Sequence, residues 1–135
     1  MAQAKQKNKK QHAKQPLVLL YGVDVTTSRG QAIIDSINNC ALCYQMVAPN
    51  QLDQQVGALA HMPGHRLHDS DYHDVVPQGE CMVLCNVGHK QADTLVRCMR
   101  DNDCVIDAKA MLTNTNRGWS FVRLVTQITR EHLSV

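Results

Sequence analysis

The residues best suited to chemistry include those of KAMLTNTNRGWSF, residues 109–121. This stretch places the hydroxyl, amide and guanidinium groups of Thr113, Thr115, Asn116 and Arg117 directly after an apolar run. Polar groups and a fixed cation beside the start of a helix suit an anionic group such as a phosphate. We therefore consider the stretch as a ligand-binding loop and, alternatively, as the structural start of the last helix.

The structural alternative explains several of the same residues. Ser120 suits a helix N-cap, where its hydroxyl accepts from a free backbone N–H, and Trp119 is placed to pack on Leu124 as a hydrophobic staple. Asn116 and Gly118 favour a tight or left-handed turn. These roles leave the two threonines and the arginine without a structural explanation.

A second candidate stretch is HMPGHRLHDSDYHD, residues 61–74. It carries four histidines among aspartates, namely His61, His65, His68 and His73. Imidazole and carboxylate groups together suit zinc, nickel or copper. However, Pro63 and Gly64 prevent the first two histidines from sharing a regular helix face, and histidine-rich connectors are often polar loops. We predict no cofactor and keep zinc or another transition metal at these histidines as a weaker alternative.

The chain has six cysteines, of which Cys40 and Cys43 form a C-x-x-C motif. The motif follows a predicted helix and enters a strand, whereas thioredoxin-like chemistry needs it to open a helix, whose dipole lowers the thiol pKa. We expect reduced thiols that mostly pack in the core, because no secretory signal precedes them. A zinc site that joins this motif to the histidine stretch stays open as an alternative.

Apolar periodicity divides the chain into alternating strands and helices. It predicts strands at 17–22, 42–47, 81–88 and 104–112, and helices at 27–38, 51–60, 90–100 and from about 120 towards the C-terminus. Such alternation favours a parallel sheet covered on both faces. We predict a single α/β domain over residues 16–135, with three layers, about four mostly parallel strands in the order 2-1-3-4, and a His-rich loop at 61–80.

Residues 1–15 differ in composition from the rest of the chain. They hold five lysines and no acid, so we expect a disordered basic tail. Without these lysines the net charge of +2 becomes −3. The tail is predicted either to remain solvated or to make weak, nonspecific contact with nucleic acid. The chain lacks a bilayer-spanning apolar stretch and a signal-peptide core, so we expect no membrane insertion and a cytoplasmic location.

The predicted sheet suggests where a ligand would bind. Ligands of parallel sheets bind outside the carboxyl ends of the strands, where the loops 21–24, 86–90 and 113–118 are expected to converge. These loops contribute Asp24, Asn86, His89, Lys90, Thr113, Thr115, Asn116 and Arg117. A small anionic or nucleotide-like ligand would suit such a site, with His89 as an acid–base group and Lys90 and Arg117 as charge clamps.

Residues 109–132, KAMLTNTNRGWSFVRLVTQITREH, resemble the closing segment of a bacterial family known only as a domain of unknown function. The family pattern is an apolar strand entered by Lys-Ala, then T-x-T-N-x-x-W and Ser or Thr, and a leucine-bearing helix that ends in Glu-His. The matching residues are Lys109, Ala110, Thr113, Thr115, Asn116, Trp119, Ser120, Leu124, Glu131 and His132. The chain departs from the pattern at Asn114, where the family usually has proline. The preceding MVLCNVGHKQADTLVRCMRDN, residues 82–102, also resembles the family's strand, glycine turn and helix, and LVLLYGV, residues 17–23, resembles its opening strand. The resemblance implies an α/β fold and no established activity.

No set of nucleophile, base and orienting group appears in the sequence. We therefore predict a nonenzymatic module that binds a protein partner or self-associates. The alternative is a small anionic or nucleotide-like ligand at the strand ends.

Overall fold

The computed structural model describes residues 15–69 and 71–133. Within them, strands and α-helices alternate, as predicted. The elements are β1 (Leu17–Tyr21), α1 (Ser28–Asn39), β2 (Cys43–Met46), α2 (Val56–Leu59), β3 (Cys81–Cys85), α3 (His89–Asp101), β4 (Ala108–Met111) and α4 (Phe121–Leu133). The predicted tail, residues 1–15, lies outside the described residues apart from Gln15.

Some predicted elements are longer than the observed ones, and each difference has a local cause. The helix predicted at 51–60 is reduced to α2, because Gln55 is extended and forms an isolated bridge with Ser120. The predicted third strand ends at Cys85, since Asn86 turns the chain with a φ of 59°. The fourth strand begins late, because the Cys104 N–H donates back to Met99 at the end of α3.

The sheet has the predicted order, β2-β1-β3-β4. The outer pairs, β1 with β2 and β3 with β4, are parallel. The central pair is antiparallel, with Leu17 opposite Cys85 and Tyr21 opposite Cys81. The antiparallel direction of β3 follows from the connector of residues 60–80. This connector starts β3 at the edge of the sheet where β1 ends, whereas a full crossover helix would carry the chain back to the other edge.

The chain consists of two β-α-β-α units of similar construction, which we call the first unit (residues 17–59) and the second unit (residues 81–133). A left-handed residue follows the first strand of each unit, Gly22 with φ 75° and Asn86 with φ 59°. Another follows the helix that connects the two strands of each unit, Ala41 with φ 59° and Asp103 with φ 54°. The two units therefore turn the chain in the same way at corresponding points.

The two units are joined by reciprocal backbone hydrogen bonds. The Val56 N–H donates to the Trp119 carbonyl at 2.9 Å, and the Phe121 N–H donates to the Gln54 carbonyl at 2.8 Å. These bonds flank the isolated bridge described above. Together with the antiparallel pairing of β1 and β3, they relate the units by an approximate two-fold axis perpendicular to the sheet.

Each face of the sheet has its own apolar core. Helices α1 and α3 cover one face, where Ile33 and Leu95 are fully buried. Helices α2 and α4 cover the other, where Leu59 and Phe121 are fully buried and the Phe121 ring lies 6.2 Å from that of Tyr21. The predicted three-layer α/β arrangement is therefore present.

The turn after β1 is expected to be intolerant of any side chain. A Cβ at Gly22 would lie 2.1 Å from the Gly79 carbonyl oxygen, and its φ of 75° is unfavourable for alanine. Gly22→Ala should lower the free energy of unfolding by about 2 kcal/mol or more, measured by urea denaturation. Gly118→Ala is the matched control, because no atom lies within 4 Å of its added Cβ. Equal effects of the two substitutions would contradict the described packing.

Candidate functional site

The predicted convergence of three strand-end loops is wrong for the loop that holds Asp24. Because β1 runs antiparallel to β3, this loop lies at the opposite edge of the sheet from the loops 86–90 and 113–118. The Asp24 carboxylate accepts from the N–H of Thr26 at 3.0 Å and from its hydroxyl at 2.6 Å, and these bonds lower the pKa of Asp24. The carboxylate therefore stabilises its own turn.

The loops after β3 and β4 share one edge but lead to different faces. Loop 86–90 opens α3, and loop 113–118 leads to α4 on the other face. His89 lines a small cavity of about 220 Å³ with Asp93 and Lys109, whereas none of the predicted residues of loop 113–118 lines it. The Lys109 ammonium donates to the Ile106 carbonyl at 3.2 Å. The structure thus separates His89 from Arg117 and the threonines.

Asn116 holds the loop that follows β4. It is 8% exposed, its side-chain oxygen accepts from the Thr113 N–H at 2.8 Å, and its amide donates to the Met111 carbonyl at 3.0 Å. The Asn116 N–H in turn donates to the Thr113 hydroxyl at 3.0 Å. It starts a 3₁₀ helix and does not have the left-handed conformation considered above. Thr115 and Arg117 are exposed.

The first unit repeats this arrangement without the ligand-like residues. The side-chain oxygen of Gln51 accepts from the Ala48 N–H at 2.9 Å, in the place that Asn116 and Thr113 have in the second unit. Position 48 is alanine, so the bond there serves only to close the loop. We conclude that the amide side chain after each outer strand is a structural feature.

The N-terminus of α4 is closed by the protein's own acceptors. Phe121 donates to Gln54, as described above, and the Val122 N–H donates to the Leu52 carbonyl at 2.8 Å. The Arg123 N–H donates to the Ser120 hydroxyl at 3.3 Å, which confirms the predicted N-cap. Since the first turn has its acceptors, it offers no free N–H groups at these positions for an anion.

Trp119 has a structural place beside that N-cap. Its ring is partly buried against the core cluster that contains Leu124, the predicted staple partner. The Arg123 guanidinium lies 4.0 Å from the centre of the ring, a cation–π contact. Trp119 and Ser120 therefore form the structural start of the last helix.

The four predicted metal-binding histidines lie apart. His61 bonds the side-chain oxygen of Gln45 at 2.7 Å, and His65 bonds that of Gln55 at 2.9 Å. His68 is exposed, and His73 faces the carboxylate of Asp71 at 3.3 Å. Within residues 15–69 and 71–133, no three His, Cys, Asp or Glu side chains are close enough to hold a metal ion. The geometry gives no support to the predicted metal site.

The histidine stretch is anchored by a buried glutamine. Gln54 is 5% exposed, its amide donates to the His68 carbonyl at 2.6 Å, and its oxygen accepts from the His68 N–H at 2.9 Å. The His65 ring lies over Gly57, where an added Cβ would come within 2.9 Å of it. This part of the connector is thus held against the second face of the sheet.

All six cysteines are free thiols. Cys43 is exposed, whereas burial raises the pKa of Cys81 and of Cys85 to about 12. Burial also raises the pKa of Cys40, and the neighbouring Cys98 thiol adds to the effect. Raised pKa values lower the thiolate fraction at neutral pH, so these thiols are poor nucleophiles.

A larger cleft lies between the end of the connector and α4. It has a volume of about 760 Å³. Its lining residues are Tyr72, Asp74, Val75, Pro77, Gln78, Val122, Thr126, Thr129 and Arg130. Val75 is 82% exposed and the adjacent Val76 is 36% exposed, so two consecutive apolar side chains contact solvent here. The cleft is therefore lined by both apolar and polar side chains.

Sequence reasoning missed this cleft. The sequence pattern predicts its wall on the connector, residues 72–78, as part of a polar loop, in which only the histidines and aspartates suggest binding. The signal that could have found it is the Val75-Val76-Pro77 sequence, a short apolar run inside an otherwise polar connector.

Residues 80–135 match the model of a family described as Domain of unknown function (DUF3783). The match contains the whole second unit and confirms, over these residues, the resemblance to a domain of unknown function. No curated protein and no solved structure gives a significant match to the chain. No helix among the described residues is long and apolar enough to cross a membrane.

Asn116→Ala is expected to destabilise the fold. It leaves the Thr113 N–H and the Met111 carbonyl without their partner and should lower the free energy of unfolding by about 2 kcal/mol. Thr115→Ala, one position away and exposed, should change it by less than about 0.5 kcal/mol. Both values are obtained from urea denaturation curves. An unchanged stability of Asn116→Ala would argue against a structural role.

The thiols should differ sharply in reactivity. At pH 8 a maleimide reagent should modify the exposed Cys43 within minutes, while Cys81 and Cys85 react only after unfolding, because burial blocks access and their pKa of about 12 leaves little thiolate. Mass spectrometry of digested protein identifies the labelled positions. Equal labelling of Cys81 and Cys43 in the native protein would contradict the described burial.

Proposed function

We propose that the chain is a nonenzymatic module that binds an extended segment of a protein partner in the cleft between residues 72–78 and α4. The observation that carries the proposal is Val75, which projects an apolar side chain into solvent at 82% exposure on the wall of that cleft. Exposed apolar surface beside a concave groove is typical of a binding site.

The cleft is also where the two units differ. Helix α4 has 13 residues, whereas the corresponding α2 has 4. Features that serve the shared fold, such as the loop-closing amides and the left-handed turns, occur in both units. Apart from Val122, the residues that line the cleft lie on the connector or on the turns of α4 that α2 lacks, so the shared fold does not require it. A separate role in binding explains why it is present.

The chemical character of the cleft favours a peptide over a small metabolite. Its apolar walls come from Tyr72, Val75, Pro77 and Val122, and polar side chains line it from both sides, among them Asp74 on the connector and Arg130 on α4. An extended segment can place apolar side chains between the walls and its backbone against the polar groups.

The alternative of a small anionic ligand has less support. Its predicted residues are divided between two edges of the sheet, and Asn116 is occupied by structural bonds. The predicted metal site lacks convergent ligands. We infer a cytoplasmic location, which is supported by six free thiols, and a protein partner as the main ligand.

The proposal can be tested with random 12-residue peptides displayed on phage and selected on the full-length chain. Peptides that are enriched should bind in fluorescence anisotropy, and Val75→Asp should weaken their binding at least about tenfold, because a carboxylate replaces the apolar wall. Leu67→Asp is the matched control, since Leu67 is 52% exposed on the same connector but does not line the cleft.

The outcomes separate clearly. Loss of binding in the Val75 variant alone supports the cleft as the site. Absence of any enriched peptide, or equal loss in both variants, would contradict the proposal. The thermal midpoint of each variant should stay within about 2 °C of the original protein, because both side chains are exposed.

A further inference from the structure

The end of α1 is held against α3 by several contacts. The Gln91 amide, in the first turn of α3, donates to the Cys40 carbonyl at 3.2 Å. One turn earlier on α1, the Ser36 hydroxyl lies 3.8 Å from the Cys104 sulfur, which follows α3. Cys40 also packs on the apolar core that contains Met99 of α3. The position of Cys40 relative to α3 is therefore fixed by contacts on more than one side.

Two thiols meet at this contact between the helices. The Cys40 and Cys98 side chains share a hydrogen bond, and both are partly exposed. The Asn102 amide donates to the Cys98 sulfur at 3.7 Å and to the Cys98 carbonyl at 2.8 Å, which holds this side chain at the last turn of α3. Solvent therefore reaches two sulfur atoms that are already neighbours, whereas Cys81 and Cys85 are buried.

We propose that Cys40 and Cys98 form a redox site at which a hydroperoxide, such as hydrogen peroxide, drives formation of a disulfide. Cys40 follows α1 of the first unit and Cys98 lies on α3 of the second, so this bond would join the two units covalently. In reducing compartments such disulfides are typically transient and serve catalysis or redox sensing. The site lies on the opposite face of the sheet from α4 and its cleft, so this inference is independent of the proposed function.

The reaction proceeds in two steps. The Cys98 sulfur attacks the peroxide, so that an S–O bond forms, the O–O bond breaks and the first water leaves, with Cys98 as sulfenic acid. The Cys40 thiol then attacks the Cys98 sulfur, an S–S bond replaces the S–O bond, and the Cys40 proton leaves with the hydroxide as a second water. The two thiols are oxidised by two electrons and the peroxide is reduced.

The order of the steps follows from the surroundings of Cys40. Burial raises the pKa of Cys40, and the neighbouring Cys98 thiol raises it further, which disfavours Cys40 as the group that attacks the peroxide. In the second step Cys40 reacts only with the sulfur beside it, where proximity compensates for low nucleophilicity.

The pair is better suited to a disulfide than to a structural zinc ion. Such an ion needs four protein ligands. The described part of the chain holds no group of even three possible metal ligands. Two adjacent sulfur atoms are, by contrast, all that a disulfide requires.

The test uses the full-length chain, fully reduced and then freed of reductant. After brief treatment with a small excess of hydrogen peroxide, the remaining thiols are alkylated in denaturant and the protein is digested with trypsin. Trypsin separates the two sulfurs, because Cys98 lies in the peptide 98–100 and Cys40 in the peptide 30–66. Mass spectrometry should find these two peptides joined with the loss of two hydrogen atoms, and separate after treatment with dithiothreitol.

Cys43→Ser is the matched control, because Cys43 lies in the same tryptic peptide as Cys40 and is exposed. This variant should form the cross-link as fast as the original chain, whereas Cys40→Ser and Cys98→Ser should form none. A cross-link that persists in Cys40→Ser but is lost in Cys43→Ser would overturn the assignment. A disulfide between Cys40 and Cys43 in place of the cross-link would also overturn it.

The cross-link should also depend on the fold. In concentrated urea the same treatment should form it at least about tenfold more slowly, because the native contacts hold one thiol beside the other. Equal rates in the native and unfolded chains would overturn the proposal. The same conclusion would follow if Cys40 and Cys98 stay thiols in the treated native chain, or if Cys98 is found only as sulfinic acid.

Discussion

The rest of the structure depends on the pairing of the two units about the approximate two-fold axis. Five residues of β1 pair antiparallel with five of β3, and on one face of the sheet the backbones of Gln54 and Val56 exchange hydrogen bonds with Phe121 and Trp119. This pairing gives each unit its inner sheet neighbour and supplies acceptors to the first turn of α4. We call this paired backbone, β1 with β3 and residues 54–56 with residues 119–121, the seam. Neither unit could satisfy these backbone groups alone, so the chain folds as one body around the seam.

The pairing also decides where a ligand can bind. Because β1 and β3 run in opposite directions, the carboxyl ends of the parallel pairs lie at opposite edges, and no single crevice collects all the polar loops. The first N–H groups of α4 donate to carbonyls of the first unit, and Asn116 closes the loop before this helix. The stretch of sequence that most resembles a ligand-binding loop is therefore held by structural bonds. The open cleft lies instead at the far part of α4, where the second unit exceeds the first. Its apolar wall, with Val75 exposed, defines the chemistry of the proposed partner.

Much of the fold could be predicted from periodicity, because the two central strands are short apolar runs and each long helix shows one apolar side. The direction of β3 could not, since a strand buried on both faces, such as Cys81–Cys85, has the same pattern in either direction. The repeat was hidden because it rests on backbone conformation: Gly22 and Asn86 share a left-handed φ but not a side chain. The cleft was missed because Val75 lies in a connector where polar residues dominate, and its exposure depends on how that connector packs.

The most direct test of this account is amide hydrogen exchange in the full-length chain without added ligand, measured by NMR. The amide protons of Val56, Phe121 and Val122 are expected to exchange as slowly as those of the central strands, because each donates across the seam. Fast exchange of Phe121 and Val122, at the rate of exposed amides, would contradict it. In that case the start of α4 would be open, and an anion at that helix terminus would again be the better interpretation of the Thr113–Arg117 loop.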